Sequence, residues 1–366
     1  MSTGTAGAIL TVDLGAVRRN YRAVRAAFSG AEVAGVVKAN AYGLGIGGIA
    51  PALAREGCRT FFVATAAEAF ELRGLLPDAA IHVFDGIGPG EEADFAEHRI
   101  VPVLNSLPQI ETWRAYALVQ GRAMPADLHL DTGMSRLGLD AVEQSRLQAN
   151  PDRLEGIELD AVISHLAVAD DPANPLNKAQ RAAFAAISSG LPGRRRSLAN
   201  SSGVFLGTAF HFDLARVGVA LYGANPTPGA PSPVAQVIRL QGRILQVRSV
   251  DAARTVGYGA THRISRPSRI ATVALGYADG YPLAMSNHGT AFLDNHEIPV
   301  VGRVSMDLTT VDVTDLPEGL AAPGRLVDFI GPNVSVDAVA ERAKTIPYTI
   351  LTGLGRRPHR IYLDED

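Results

Sequence analysis

The chain has 366 residues, more than one ordinary domain of about 100–200 residues needs, and its 47% hydrophobic content can fill a large core. A charged fraction of 19% and a net charge of −3 give no electrostatic reason to expect nucleic acid or an anionic membrane as partner, so a small, near-neutral substrate is expected. A single cysteine, Cys58, excludes an internal disulfide and fits a reducing compartment. No signal-type segment precedes Asp13 and no run of 18 apolar residues occurs, so the expected location is cytoplasmic.

In chain order, AILTVDL comes first, then short apolar runs alternating with helical spacing. The runs are GVVKA (35–39), TFFVAT (60–65), IHVFDG (81–86), VPVLN (101–105), DLHLDTG (127–133), AVISHLA (161–167), RRSLANS (195–201) and ARVGVALYG (215–223). Segments such as GIAPALAREG, AAEAFELRGLL and LNKAQRAAFAAISSG lie between them. Near-continuous apolar strands separated by helices predict parallel βαβ units buried on both faces. Eight such units predict a closed (β/α)8 TIM-type barrel over residues 10–228.

NPTPGAPSP (225–233) holds four prolines in nine positions and reads as a linker. Beyond it, QVIRLQGRILQVRSV, SRIATVALGYADGYP, GTAFLDNHEIPVVGRVSMDLTTVDVT and RLVDFIG alternate as strands with tight turns. They predict a mainly β C-terminal domain over 234–366, with a helix at SVDAVAERAKTI before a last strand, HRIYL. The fold class is therefore α/β with a β module appended. The strand at 8–13 precedes the first barrel strand by a full helix and could pack with that module.

Barrel chemistry gathers at the C-terminal ends of the strands. The polar residues there are Lys38, Asp85, Asn105, Asp131 with Arg136, His165, Asn200 with Ser201, and Arg216. Lysine is scarce: only Lys38, Lys178 and Lys344 occur against 31 arginines among 34 basic residues. Where charge alone is wanted this sequence writes arginine, so the lysine in AGVVKANAYGLGIGG (34–48) asks for a chemical reason. A lysine, a histidine and two arginines at one mouth make an anion-binding pocket with a possible amine nucleophile. Two other readings are weak. Gly43, Gly45 and Gly48 match a dinucleotide fingerprint with Glu68 downstream, but Ala39–Tyr42 separate them from the strand and Lys38 would be buried without a task. His129-x-Asp131 is the only tight ligand-like pair, and no metal motif accompanies it.

The blocks VVKANAYGLG, LDTGMSRLGL, SHLA, ANSSG, RVGVALYG, TVGYGATH, GYADGYP and VGRVSMDLTTVDV resemble the motifs of the alanine racemases, fold-type III pyridoxal-phosphate enzymes. The resemblance runs from about residue 10 to the last strand. It implies a barrel followed by a β domain in a head-to-tail homodimer with shared active sites, pyridoxal 5′-phosphate as cofactor, alanine as substrate and no metal.

The resemblance also implies roles. Lys38 would capture the cofactor's aldehyde and serve as one base, its amine kept free by burial and nearby cations. Arg216 would face the pyridine nitrogen and, staying protonated, leave that nitrogen unprotonated and the ring a weaker electron sink. Tyr258, from the partner's β domain, would be the second base on the opposite face. A phenol's ordinary pKa is about 10, and His165, linked to Arg216, would relay the stabilisation of its anion. Ser201, Gly218, Val219 and Tyr42 occupy the phosphate positions, with Asn200 holding His165. Arg136 and the partner's Met306 would meet the substrate carboxylate, and Tyr277 and Asp307 would line the entrance. Two positions depart from the pattern. His129 stands where some members carry a carbamylated lysine, so another anion such as chloride, or a different hydrogen bond, would orient Arg136. Arg356 stands near where some members place a phosphate-contacting tyrosine. A broader racemase, a decarboxylase or D-amino-acid aldolase of the same fold, and a non-enzymatic cofactor carrier are the alternatives.

Overall fold

The structure of the chain is a computed structural model that describes residues 6–364. Strand β1 (Ala8–Asp13) ends on Asp13, whose carboxylate accepts the amide of Ala16 at 2.8 Å and caps helix α1 (Leu14–Ala27). A cap of this kind is worth about 1 kcal/mol. Eight strands follow, alternating with helices: β2 (Glu32–Val36), β3 (Thr60–Val63), β4 (Ala80–Val83), β5 (Ile100–Leu104), β6 (Met124–His129), β7 (Ile157–Ile163), β8 (Arg195–Ser197) and β9 (Leu214–Val217). They form one parallel sheet in the order β8-β7-β6-β5-β4-β3-β2-β9, a nearly closed barrel. Helices cover the outer face and side chains fill the interior, so both faces of a strand are apolar. All four residues of β3 are buried.

The ladder stops between β8 and β9. Single contacts close that seam: the amide of Asp213 donates to the Arg196 carbonyl at 3.0 Å, the amide of Arg216 to that of Ala199 at 3.0 Å, and the Ser197 hydroxyl to that of Leu214 at 2.6 Å. Toward the N-terminal end of the strands, Arg195 pairs with Glu32 on β2 and Asp160 on β7, and His82 meets Asp127 at 2.7 Å inside the barrel. Buried ionic groups are costly unless each faces a partner. This layer meets that condition by drawing its members from five strands.

The proline-rich stretch 225–233 contains no helix or strand, and β10 (Ile238–Val250) then forms the spine of a second sheet. It pairs antiparallel with β1, with Ser268–Ala274 and with Leu326–Ile330. The last strand, His359–Leu363, lies parallel to β1 on its other side. The first strand of the chain thus belongs to the second sheet.

Three local expectations are corrected. Barrel strand β2 ends at Val36, so Lys38 follows the strand instead of ending it. The strand over SRIATVALGYADGYP stops at Ala274, and Tyr277–Asp279 is a 3₁₀ turn. A second C-terminal helix, Pro347–Gly353, follows Val336–Arg342; its proline-led start and short length hid it. Among the described residues, no helix is long and apolar enough to cross a membrane.

Candidate active site

A cavity of about 490 Å³ opens at the C-terminal ends of the barrel strands, lined by Lys38, Tyr42, Asp85, His129, Arg136, His165, Asn200, Ser201, Arg216, Gly218 and Val219, all placed there by the sequence. Phe84, Tyr348 and Thr352 also line it.

Lys38 stands directly before four residues in left-handed conformation, Ala39, Asn40, Ala41 and Tyr42, with φ between 52° and 55°. An L-residue there costs about 1–2 kcal/mol, so something must hold the turn. The amide of Gly43 donates to the Ala39 carbonyl at 2.8 Å, that of Gly45 to the Asn40 carbonyl at 3.0 Å, and that of Ile46 to the Asn40 side chain at 2.8 Å. The turn reverses the chain so that the Lys38 amine sits 5.5 Å from the Phe84 ring centroid while Tyr42 packs on Tyr222 and Tyr348. Burial, reinforced by the Arg136 cation, pushes the Lys38 amine below its ordinary pKa, against the opposing pull of Glu68 and Asp85. The result is an amine biased toward its nucleophilic form.

Arg216 is buried on β9. Its Nη1 donates to the Ser197 carbonyl at 2.9 Å, and its Nη2 donates to the Ser164 carbonyl and lies 3.4 Å from His165 Nδ1. Its Nε is buried without a partner. Burial lowers this guanidinium to about 10, which leaves it charged at neutral pH. Burial and Arg216 push His165 well below its ordinary value, so the ring is neutral. Gln180, which sequence reasoning missed, fixes the His165 backbone by donating to its carbonyl at 2.9 Å. Asn200 does not hold His165: it accepts the amide of Gly203 at 2.9 Å and donates to Leu166, because the short turn after β8 directs its side chain inward.

The loops after β8 and β9 meet below Tyr42. The Ser201 hydroxyl accepts the amides of Gly218 and Ala220 at 3.1 and 3.3 Å. Val219 opens a 3₁₀ turn, Val219–Tyr222, so its amide has no partner within that turn. A Cβ on Gly218 would lie 2.3 Å from the Tyr42 hydroxyl. This crowding leaves glycine as the residue that fits.

The loop carrying Arg136 is built by Asp131, whose Oδ1 accepts the amides of Gly133, Met134 and Ser135 at 2.9, 2.9 and 3.2 Å. That carboxylate is therefore spent on its own loop. His129 Nδ1 lies 2.7 Å from Asn105 Oδ1, and burial with the Arg216 cation lowers the ring to about 3. His129 is neutral, as expected, and no described ion pair reaches Arg136.

Tyr258, Met306 and Tyr277 do not line this cavity. They stand 72%, 53% and 44% exposed on the β domain, where the amides of Tyr277 and Ala278 bond to the carbonyls of Ser305 and Met306 at 3.0 Å each. Asp307 pairs with Arg357. Arg356 lines a separate groove with Asp279 and Asp307, whereas Tyr348, on the extra helix Pro347–Gly353, reaches the cavity. The glycine loop after Tyr42 serves packing. A Cβ on Gly45 would strike the Tyr362 hydroxyl at 2.0 Å, one on Gly48 the Tyr362 ring at 2.8 Å, and one on Gly43 the Leu351 carbonyl at 2.6 Å.

Chemically, two arginines and a depressed lysine with few opposing carboxylates favour an anionic ligand bearing a carbonyl. Two family models cover the chain: "Alanine racemase, N-terminal domain" over residues 12–226 and "Alanine racemase, C-terminal domain" over 237–362. It is 52% identical over 359 residues to an alanine racemase of Rhodospirillum rubrum, covering 98% of this chain and 96% of that one. To an alanine racemase of Acidiphilium cryptum it is 53% identical over 352 residues, covering 96% and 98%. The alanine racemase of Bartonella henselae, solved with covalently bound pyridoxal phosphate, superposes with a TM-score of 0.94 at 43% identity over 98% of this chain and all of that one. The chain belongs to the alanine racemase family.

Proposed function

We propose that this chain interconverts L- and D-alanine with pyridoxal 5′-phosphate, by two bases, Lys38 and Tyr258 of a second copy. One observation carries the cofactor assignment: Arg216, whose Nε is buried without a protein partner, lines the same cavity as a depressed lysine amine. The donors fit the cofactor's outline. Lys38 would meet an aldehyde, Arg216 Nε a ring nitrogen, and Ser201, Gly218, Val219, Tyr42 and Tyr348 would hold a phosphate, with backbone amides supplying the anion donors. Bound there, the cofactor supplies an electron-withdrawing ring that lets the α-proton of an amino acid leave.

The chain's own residues divide the rest. Arg216 keeps its proton, so it donates to the ring nitrogen without protonating it, which favours simple proton return. Lys38 Nζ would hold or release the proton on one face, its pKa lowered by burial and the Arg136 cation in the direction a base needs. Arg136 binds the substrate carboxylate. The opposite face needs its own acid or base, and no tyrosine of the mouth serves: burial pushes Tyr42 up, and Tyr348 up to about 12. Exposed Tyr258 and the Met306 amide, standing outside their own chain's cavity, support a head-to-tail homodimer in which each copy completes the other's site. A cytoplasmic location accords with the single cysteine and with the absence of a membrane-crossing helix among the described residues.

The test is circular dichroism of L-alanine, L-serine and L-lysine incubated with protein and added pyridoxal phosphate, with borohydride fixation of the label. Loss of ellipticity without loss of amino acid, fastest for alanine, and a pyridoxyl label on Lys38 are expected. Amine or aldehyde release would mean a lyase, and an unlabelled Lys38 would overturn the cofactor assignment.

A further inference from the structure

We propose that Glu68 is a positioning residue for Lys38, its carboxylate stapling the left-handed turn to the neighbouring βα loop. This rests on the reading of Lys38 as the amine that captures the cofactor. Glu68 Oε1 accepts the amide of Ala39, the residue directly after Lys38, at 2.6 Å. Oε2 accepts the amide of Ala64 at 2.8 Å and that of Thr65 at 3.4 Å, while the Thr65 hydroxyl accepts the Glu68 amide at 3.3 Å in a capping box. On the other side of Lys38, the amide of Val37 donates to the Phe62 carbonyl of β3 at 2.9 Å. Both amides flanking Lys38 are thus tied to the β3 unit, one through the ladder and one through Glu68.

A capping box needs only one carboxylate oxygen; the second here crosses to the catalytic loop. The left-handed residues have no intrinsic preference for their conformation, so without the staple Ala39 is free to relax and the lysine stem loses its direction. Among charged groups, Lys38 also faces Asp85 and Arg136. Glu68 therefore does two separable things: it bonds to the turn and it adds negative charge beside the amine.

Cofactor-free protein carrying Glu68→Asp, Glu68→Gln or Thr65→Ala separates them. Glu68→Asp keeps the charge but is one methylene too short for Ala39; Glu68→Gln loses the charge and sets an amide donor against the donors of Ala64 and Thr65. Thr65→Ala weakens the same helix cap without touching Ala39. Two readouts are taken: the rate at which borohydride-fixable pyridoxyl label accumulates on Lys38, and the pH midpoint of Lys38 acetylation, with Lys178 and Lys344 as internal standards. Both Glu68 variants should capture pyridoxal phosphate about tenfold more slowly, the scale of a misdirected reactive group. Only Glu68→Gln should lower the acetylation midpoint, and Thr65→Ala should capture at the parental rate. Parental capture rates in both Glu68 variants, or equal slowing in Thr65→Ala, would overturn the proposal. A parent protein that fails to label at Lys38 would instead sink the cofactor reading beneath it.

Discussion

Arg216 Nη2 lies 3.4 Å from His165 Nδ1, and because a guanidinium only donates, that ring nitrogen is the acceptor and the ring hydrogen sits on Nε2. The same guanidinium satisfies the buried carbonyls of Ser164 and Ser197. Arg216→Met would leave the Ser164 carbonyl without its donor, while the Ser197 carbonyl keeps the Ser164 amide at 3.0 Å and the Ser197 hydroxyl keeps the Leu214 carbonyl. The expected cost is about 1–3 kcal/mol, the scale for leaving a buried acceptor unsatisfied, read by urea unfolding of cofactor-free protein. Unchanged stability would show that Arg216 is not the strut that closes the β8–β9 seam.

Lys38 predicts the sign of a pH effect. Its folded pKa is lowered by burial, with the Arg136 cation adding to the shift, so between that lowered value and the unfolded value of about 10.4 the unfolded chain binds more protons. Stability of cofactor-free protein should therefore rise with pH through that window, and be lowest relative to a Lys38→Met variant below it. The buried tyrosines Tyr42 and Tyr281 titrate identically in both proteins, so the difference curve isolates Lys38. Parallel curves across the alkaline range would contradict the shift.

Which parts of this were legible follows from the period of each signal. Eight apolar runs were visible because parallel strands are buried on both faces, but their ends were read late: GVVKA runs to 39 whereas β2 stops at Val36. Residues such as Val37 and Ala39 are as apolar as the strand, and only the backbone dihedrals distinguish them, a ψ of 18° at Val37 and a φ of 54° at Ala39. Lys38, Arg216 and Arg136 announced themselves as charges at strand ends. Glu68 and Gln180 did not show their roles, because their work is done on a backbone amide and a carbonyl far away in sequence. The glycines of GLGIGG looked like a phosphate loop, yet the ring they make room for, Tyr362, comes 314 residues after Gly48 by number (362 − 48).

Gly218 gives a steric prediction at the proposed phosphate end. Its φ of −120° lies outside the left-handed region, with ψ of −85°, and the space beside it is tight. In Gly218→Ala the new methyl would sit 2.3 Å from the Tyr42 hydroxyl. Tyr42 cannot swing away easily, because its ring is held between Tyr222 and Tyr348 at 4.6 and 5.9 Å. Overpacking of this kind costs about 1–3 kcal/mol, and here it falls on the ligand's side of the cavity. The dissociation constant for pyridoxal phosphate should rise about tenfold or more, measured by equilibrium dialysis. Parental affinity would place the phosphate elsewhere.

Arg136 carries the last prediction. No described carboxylate forms an ion pair with it: Asp85 shares the cavity without pairing, Asp131 is occupied by three amides of its own loop, and His129, lowered to about 3 by burial and Arg216, is a neutral partner of Asn105. A cation that must aim at the substrate carboxylate without a fixed counter-charge is held by whatever small anion reaches it, and chloride suits a pocket lined by guanidinium and amide donors. With ionic strength held at about 0.1 M by gluconate, so that the screening length stays near 10 Å, replacing gluconate by chloride should lower KM for L-alanine severalfold while leaving cofactor absorbance unchanged. In an Arg136→Lys variant the response should shrink, because a point charge lacks the planar fork that the anion would hold in register. A flat response in the parent would mean that Asn105 and His129 position Arg136 through neutral contacts alone.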